Sequence, residues 1–186
     1  MNDQKVVLLD RDGVINYDSD DYILSPRAWQ PIEGSIEAIA SLTQSGFTIF
    51  VITNQSALNR NYFTLAALEA IHTKMRAAVA EQGGYISDIF YCPHRPDECC
   101  SCRKPEPGLI EQLCIKYPDC SLKNAFFIGD SYKDIEVARK TECKPILVRT
   151  GKGKLTEQQH RADLTDVTIC DSLQQAVEQY ILSFRA

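Results

Sequence analysis

Two aspartates, Asp10 and Asp12, stand two positions apart in LLDRDGVIN (residues 8–16), directly after an apolar run and just before Gly13. In an extended segment the side chains at i and i+2 point to one side, so both acids are expected to face one site while Arg11 points away. Two such carboxylates repel each other, and a buried pair needs a shared proton or a cation. Asp130, in FIGDSYKD, ends a later apolar run and adds another oxygen ligand, with Asp134 one helical turn on. Mg²⁺ suits this set because it takes carboxylate oxygens and water and leaves room for a substrate phosphate. Thr53 and Asn54 in ITNQS offer neutral donors to that phosphate, and Lys104 in CRKPEP offers a cationic one. Singly these features are commonplace, since Asp favours turns, Thr favours strands and loop lysines are solvated. Together, in chain order at the ends of apolar runs, they point to phosphate chemistry.

A second cluster occupies CPHRPDECCSC, residues 92–102. Tetrahedral zinc takes four nitrogen or sulfur donors, and Cys92 and His94 followed by two of Cys99, Cys100 and Cys102 meet that count. Spacing alone leaves a Cys99-x-x-Cys102 pairing open. Residues 93–105 are expected to hold neither helix nor strand, so zinc would supply the free energy that orders them. Arg103 and Lys104 directly follow the last ligand and would be fixed against the phosphate. A closed, structural zinc is therefore expected. Cys114, Cys120, Cys143 and Cys170 are scattered singly and are expected as small core residues.

The elements that must position these groups follow from the hydrophobic pattern. Apolar runs of strand length occur at residues 5–9, 47–53, 88–92, 125–129 and 145–148. Between them lie helical segments: residues 35–46, stopping at Gly46; Leu65 to about Gln82, capped by Thr64; and a helix from Ser131 to about Thr141 that opens on an S-x-x-D capping pattern. Asp171 is expected to cap a last helix whose Leu173, Ala176, Val177, Tyr180, Ile181 and Phe184 form one apolar stripe. Strands alternating with helices indicate an α/β fold: a Rossmann-like, doubly wound, mainly parallel sheet with helices on both faces. Two long loops, residues 13–33 and 92–108, are where function is expected. Ligands of such sheets sit at the carboxyl ends of the strands, where Asp10, Thr53, Cys92 and Asp130 should lie.

The totals limit the alternatives. A chain of 186 residues with 44% hydrophobic content is expected to form a single domain over residues 1–186. Twenty-five acids against 20 bases, with no basic stripe, argue against nucleic acid as a partner. The opening MNDQKVVLLD is too short in apolar residues for a signal or a membrane span, so a cytoplasmic protein with free or metal-bound thiols is expected, and a monomer.

The set DRDG, TN, CRKP and GDxxxD, in that order across residues 10–134, resembles the four motifs of the haloacid-dehalogenase superfamily in its phosphatase branch. The resemblance implies Asp10 as nucleophile on phosphorus, giving an aspartyl-phosphate, and Asp12 as general acid for the leaving alkoxide and then base for water. It implies Mg²⁺ on the Asp10 side chain, the Asp12 main-chain carbonyl and Asp130, with Thr53 and Lys104 on the transferring phosphoryl oxygens. The loop Cys-x-His…Cys-x-Cys-Arg-Lys-Pro further resembles a narrower branch, the heptose bisphosphate and histidinol phosphate phosphatases. That branch implies Cys92, His94, Cys100 and Cys102 as zinc ligands, with Cys99 spare.

Little sequence remains for a separate cap domain, so an open site is expected, its substrate a small phosphorylated molecule. The heptose branch implies removal of the 7-phosphate from D-glycero-D-manno-heptose 1,7-bisphosphate, a step toward lipopolysaccharide core or surface glycan. Arg103 would then recognise the non-reacting part of the substrate and Arg60 would add charge, while Asn16, Asp18, Asp20, Asp21 and Tyr22 could meet sugar hydroxyls. The chain departs from the pattern at Ala57 and Asn61, where relatives often carry Gly, and at Ser131, a substrate-site position where relatives carry a basic residue. Histidinol phosphate is the alternative substrate, its amine suited by Asp20 and Asp21. A phospho-acceptor switch domain is the non-enzymatic alternative, though it predicts acids ahead of the acceptor strand and has no use for the cysteine loop. A zinc-dependent interaction module with a dead site is a third, weakened because every expected catalytic residue is present.

Overall fold

The computed structural model describes residues 5–183. Six strands, β1 (Lys5–Leu9), β2 (Phe47–Asn54), β3 (Asp88–Cys92), β4 (Phe126–Gly129), β5 (Lys144–Val148) and β6 (Thr168–Cys170), pair in parallel in the order β3-β2-β1-β4-β5-β6. The helices are α1 (Ser35–Gln44), α2 (Leu65–Glu81), α3 (Gly108–Lys116), α4 (Tyr132–Lys140), α5 (Gly153–Gln159) and α6 (Leu173–Gln175).

The period of two along each strand divides the core. Val7 and Leu9 of β1 and Ile49 and Val51 of β2 pack with Ile39 and Leu42 of α1 and Ile71 and Met75 of α2. Val6, Leu8, Phe50 and Ile52 face the other way, against Leu109 and Leu113 of α3 and Val137 and Ala138 of α4. Both faces are covered, which is why these strands read as continuous apolar runs. Phe50 is fully buried, and truncating such a residue to Ala costs about 3–5 kcal/mol.

Strand order reverses between β1 and β4, whose carboxyl ends diverge into the crevice where open α/β sheets bind ligands. Asp10 follows β1 and Asp130 follows β4. Over this edge lie the loop from β1 to α1 and the loop from β3 to α3, with no separate cap domain among the described residues. The first loop is anchored by the buried Ile15, Ile23 and Trp29 and by Lys74 of α2, which donates to the carbonyls of Pro26 (2.7 Å) and Trp29 (2.9 Å). Among the described residues no helix is long and apolar enough to cross a membrane.

The caps follow expectation at three helices. Gly46 takes φ +78° just after α1, Thr64 accepts from the Ala67 N–H, and Ser131 and Asp134 cap α4 reciprocally. The last helix differs: its cap is Ser172, which accepts from Gln175 N–H, because the Asp171 carboxylate is held by Arg149 at 2.8 Å. Beyond α6 the chain continues as a π-helical segment, Ala176–Ile181, with Leu173, Ala176, Val177 and Ile181 buried as the stripe requires; Phe184 lies outside the described residues. A 3₁₀ turn, Pro96–Glu98, interrupts the loop expected to be irregular. Strand β6 and helix α5 were not foreseen, since β6 has three residues and α5 buries only Gly153 and Thr156, so neither carries an apolar period.

Candidate active site

The site is built around an ammonium with more carboxylates than it can balance. Lys104, 2% exposed, donates to the Ile52 carbonyl (2.9 Å) and forms ion pairs with Asp10 Oδ2 (2.9 Å) and Asp134 Oδ1 (2.6 Å). Burial disfavours its charge, but Asp10 and Asp134 outweigh that and hold its pKa above the ordinary lysine value. Asp10, Asp130 and Asp134 each bring a carboxylate oxygen within 4.8 Å of the others. Burial, partly offset by Lys104, pushes Asp10 up to about 7. Burial together with the charges of Asp10 and Asp134 pushes Asp130 up to about 8.

Three buried acids against one ammonium leave a deficit that a divalent cation would fill. Asp134 is already committed to Lys104 and to Ser131, whose hydroxyl donates to Asp134 Oδ2 at 2.6 Å. Asp10 and Asp130 are therefore the carboxylates that fit Mg²⁺, a hard ion that takes one or two of them and fills its remaining positions with water and phosphate oxygen. The backbone closes tightly on Asp130. A Cβ on Gly13 (φ +80°) would fall 2.1 Å from its Oδ2, and one on Gly151 (φ +55°) 2.2 Å from the same oxygen. That oxygen also accepts from the Lys152 N–H at 2.8 Å. Glycine at both positions lets two loops meet there.

Asp10 and Asp12 both line the cleft and Arg11 does not, as expected, but the Arg11 side chain stays in contact with Asp12. The chain turns at Arg11 instead of continuing extended, and the fully buried guanidinium bends back to Asp12, Nη2 lying 2.8 Å from Oδ2 and Nε 3.0 Å from Oδ1. Asn16 Nδ2 (2.8 Å) and Gln55 Nε2 (2.9 Å) complete the set of donors. Burial would raise the Asp12 pKa, but the Arg11 charge and these hydrogen bonds bring it below the ordinary carboxylate value. Asn16, expected at the sugar, is fully buried on Asp12 and Tyr17 and does not line the cleft, which corrects that expectation.

The cleft, about 330 Å³, brings Asp10, Asp12, Thr53, Asn54, Arg60, Arg103, Lys104, Asp130 and Ser131 together, as expected of them. Asn54 has both amide functions on the Lys104 main chain, accepting its N–H at 3.0 Å and donating to its carbonyl at 3.1 Å. Arg103 donates to the His94 carbonyl at 3.0 Å. Five lining residues are not singled out in the sequence analysis: Ser19, Ser56, Pro96, Lys133 and Lys152. Lys152 pairs with Asp18 at 3.2 Å. Partial burial and the charge of Arg103 hold the Lys133 pKa below the ordinary lysine value. The run TGKG after β5, a glycine before a lysine at a strand end, was the available signal for Lys152.

Beside the cleft, Cys92, His94, Cys100 and Cys102 point ligand atoms at one centre, within 4.8 Å of one another. The sulfur–sulfur edges are 3.2 to 3.6 Å, and His94 Nδ1 lies 3.5 Å from Cys92 Sγ and 3.3 Å from Cys102 Sγ. A zinc tetrahedron with Zn–S near 2.3 Å has edges of about 3.5–3.8 Å, so the donor set fits that ion. Cys99 is exposed in a left-handed turn (φ +48°) and lies outside the group.

Comparison with known proteins agrees with this geometry. The HAD-hydrolase-like family model matches residues 101–176. The D-glycero-β-D-manno-heptose-1,7-bisphosphate 7-phosphatase of Pseudomonas aeruginosa is 53% identical over 82% of this chain and 85% of its own length. The enzyme of the same name from Neisseria meningitidis serogroup A is 43% identical over 98% of this chain and 97% of its own. The crystal structure of the D,D-heptose 1,7-bisphosphate phosphatase from B. bronchiseptica, complexed with magnesium and phosphate, superimposes with a TM-score of 0.91 at 42% identity, covering 97% of this chain and 99% of that one. The chain belongs to the heptose-bisphosphate phosphatase family of haloacid-dehalogenase-like hydrolases.

Proposed function

We propose that this chain is a Mg²⁺-dependent phosphatase that removes the 7-phosphate of D-glycero-D-manno-heptose 1,7-bisphosphate through an aspartyl-phosphate on Asp10. The observation that carries the reading is the Lys104 ammonium 2.9 Å from Asp10, with Asp130 across the same crevice. In the first step an Asp10 oxygen bonds to phosphorus, the bond from phosphorus to the sugar oxygen breaks, and Asp12 gives that oxygen a proton. In the second, Asp12 takes a proton from water, the water oxygen bonds to phosphorus, and Asp10 is released. The donors around Asp12 favour its ionised form, which suits the second step. Magnesium on Asp10, the Asp12 carbonyl and Asp130 would neutralise charge on the phosphoryl oxygens. Thr53 and Lys104 hold those oxygens, Arg103 and Lys133 supply cations for the second phosphate where Ser131 has none, and Ser131 and Asn54 keep Asp134 and Lys104 in place.

Zinc on Cys92, His94, Cys100 and Cys102 orders the loop that delivers Arg103 and Lys104. The two acids that would suit an amine substrate fare differently: Asp20 lines the cleft with the Lys152 ammonium 4.0 Å away, and Asp21 does not line it. That favours an anionic sugar over histidinol phosphate. Phosphate release from both substrates at equal concentration, with and without Mg²⁺, tests the reading; the bisphosphate should win and Asp10→Asn should abolish turnover. Equal or reversed preference would overturn the heptose assignment, and full activity of D10N would overturn the mechanism.

A further inference from the structure

Gln55, one residue past β2, is 5% exposed and joins three groups of the site. Arg11 Nη2 donates to its Oε1 at 3.0 Å. Arginine has no acceptor, so the Gln55 atom facing it must be oxygen. The opposite end agrees, because Nε2 donates to the Asp12 carboxylate at 2.9 Å, and an ionised carboxylate can only accept. The second Nε2 proton goes to Thr53 Oγ1, also at 2.9 Å. That oxygen is the acceptor there, so the Thr53 proton must point elsewhere. Among the described residues no hydrogen bond takes that proton, and Thr53 lines the cleft with Asp10.

We propose that Gln55 is a positioning residue: it turns the Thr53 hydroxyl into a donor aimed at the phosphoryl group and couples that setting to Asp12. The inference rests on the phosphatase reading above. Polarity runs one way, from Arg11 to Gln55, from Gln55 to Thr53 and Asp12, and from Thr53 to the substrate. A donor aimed in advance requires no reorganisation as charge builds on the phosphoryl oxygens.

The test is a double-mutant cycle with Gln55→Met, which keeps the volume and removes both donors, and Thr53→Val, read as kcat and KM on the heptose bisphosphate. Q55M should lower kcat about 10- to 100-fold with KM within about twofold, less than the roughly 100- to 1000-fold of losing a preorganised donor outright because Thr53 keeps its hydroxyl. In the T53V background the same substitution should cost at least about fivefold less; penalties that multiply in full would overturn the proposal. Gln55→Glu keeps the Arg11 contact but offers Thr53 only an acceptor, so activity near wild type in Q55E would also overturn it. Should the variants not fold, the wild-type protein decides by NMR: slowly exchanging Gln55 amide protons with cross-peaks to the Thr53 methyl group are expected, and rapid exchange refutes the bonding. A wild-type enzyme releasing no phosphate would refute the phosphatase reading instead, leaving the NMR test of Gln55 intact.

Discussion

Asn54 and Lys104, fifty positions apart, are joined as though paired in a sheet: the Asn54 side chain accepts the Lys104 N–H at 3.0 Å and donates to its carbonyl at 3.1 Å. The end of β2 thus sets the position of the ammonium that reaches Asp10. Asn54→Ala should lower stability by about 1–3 kcal/mol for the hydrogen bonds lost. It should lower kcat/KM at least tenfold, because a shift of about 1 Å in a catalytic group can cost 100-fold. Chemical denaturation and steady-state rates check both; an active N54A would show that Lys104 is held by its ion pairs alone.

Asp130→Asn should separate stability from function. It removes one of three buried carboxyls from around a single ammonium, while the amide oxygen can still accept from the Lys152 N–H. In excess chelator the variant should melt at least as high as wild type. Each kcal/mol of relieved repulsion is worth about 2–4 °C at this size. Added Mg²⁺ should raise the wild-type midpoint and leave that of D130N nearly unmoved. A magnesium-dependent rise in both would place the ion elsewhere.

The positions of Asp10, Thr53 and Asp130 were legible because parallel strands buried on both faces are written as unbroken apolar runs, and the residue ending a run stands at the carboxyl edge of the sheet. The orientation of side chains beyond that edge was not. Extended geometry stops at Arg11, so the i, i+2 argument places Asp10 and Asp12 at the cleft but does not foresee that the Arg11 guanidinium turns back onto Asp12. Asn16, polar and in a loop, reads as exposed, yet the loop folds back on Asp12 and buries it completely. Gln55 and Lys133 carry no periodicity, and only the fold reveals that Gln55 meets Asp12 and that Lys133 lines the cleft with Arg103.

The choice between Cys99 and Cys100 can be made by substitution. Cys100 lies in the four-residue cluster, whereas Cys99 points its sulfur at the Asp97 carbonyl, 3.8 Å away. Cys99→Ser should retain stoichiometric zinc, and Cys100→Ser should lose zinc affinity at least tenfold, both measured by metal analysis after dialysis. Because the ion would order the loop carrying Arg103 and Lys104, C100S should also show faster amide exchange across residues 93–105 and weaker turnover at saturating Mg²⁺. Lost turnover with the loop still protected would mean that zinc takes part in the chemistry.

His72 of α2 gives the fold an acid-sensitive point behind the site. Its Nε2 faces Arg11 Nη1 at 3.4 Å; the guanidinium can only donate, so that nitrogen is the acceptor and the proton sits on Nδ1. Burial first, and then the Arg11 charge, push its pKa down to about 3, against about 6.5 in an unfolded chain. Between those values the unfolded chain binds a proton that the folded one refuses, so stability rises with pH. The contribution is complete above about 6.5 and is lost progressively as pH falls toward 3. Between pH 7.5 and 4.5 His72 alone should therefore cost the wild type about 2–3 kcal/mol. His72→Gln retains an acceptor for Arg11 and cannot titrate, so its unfolding free energy should fall less over that range by about the same amount. Parallel curves for the two proteins would show that protonated His72 is accommodated beside Arg11.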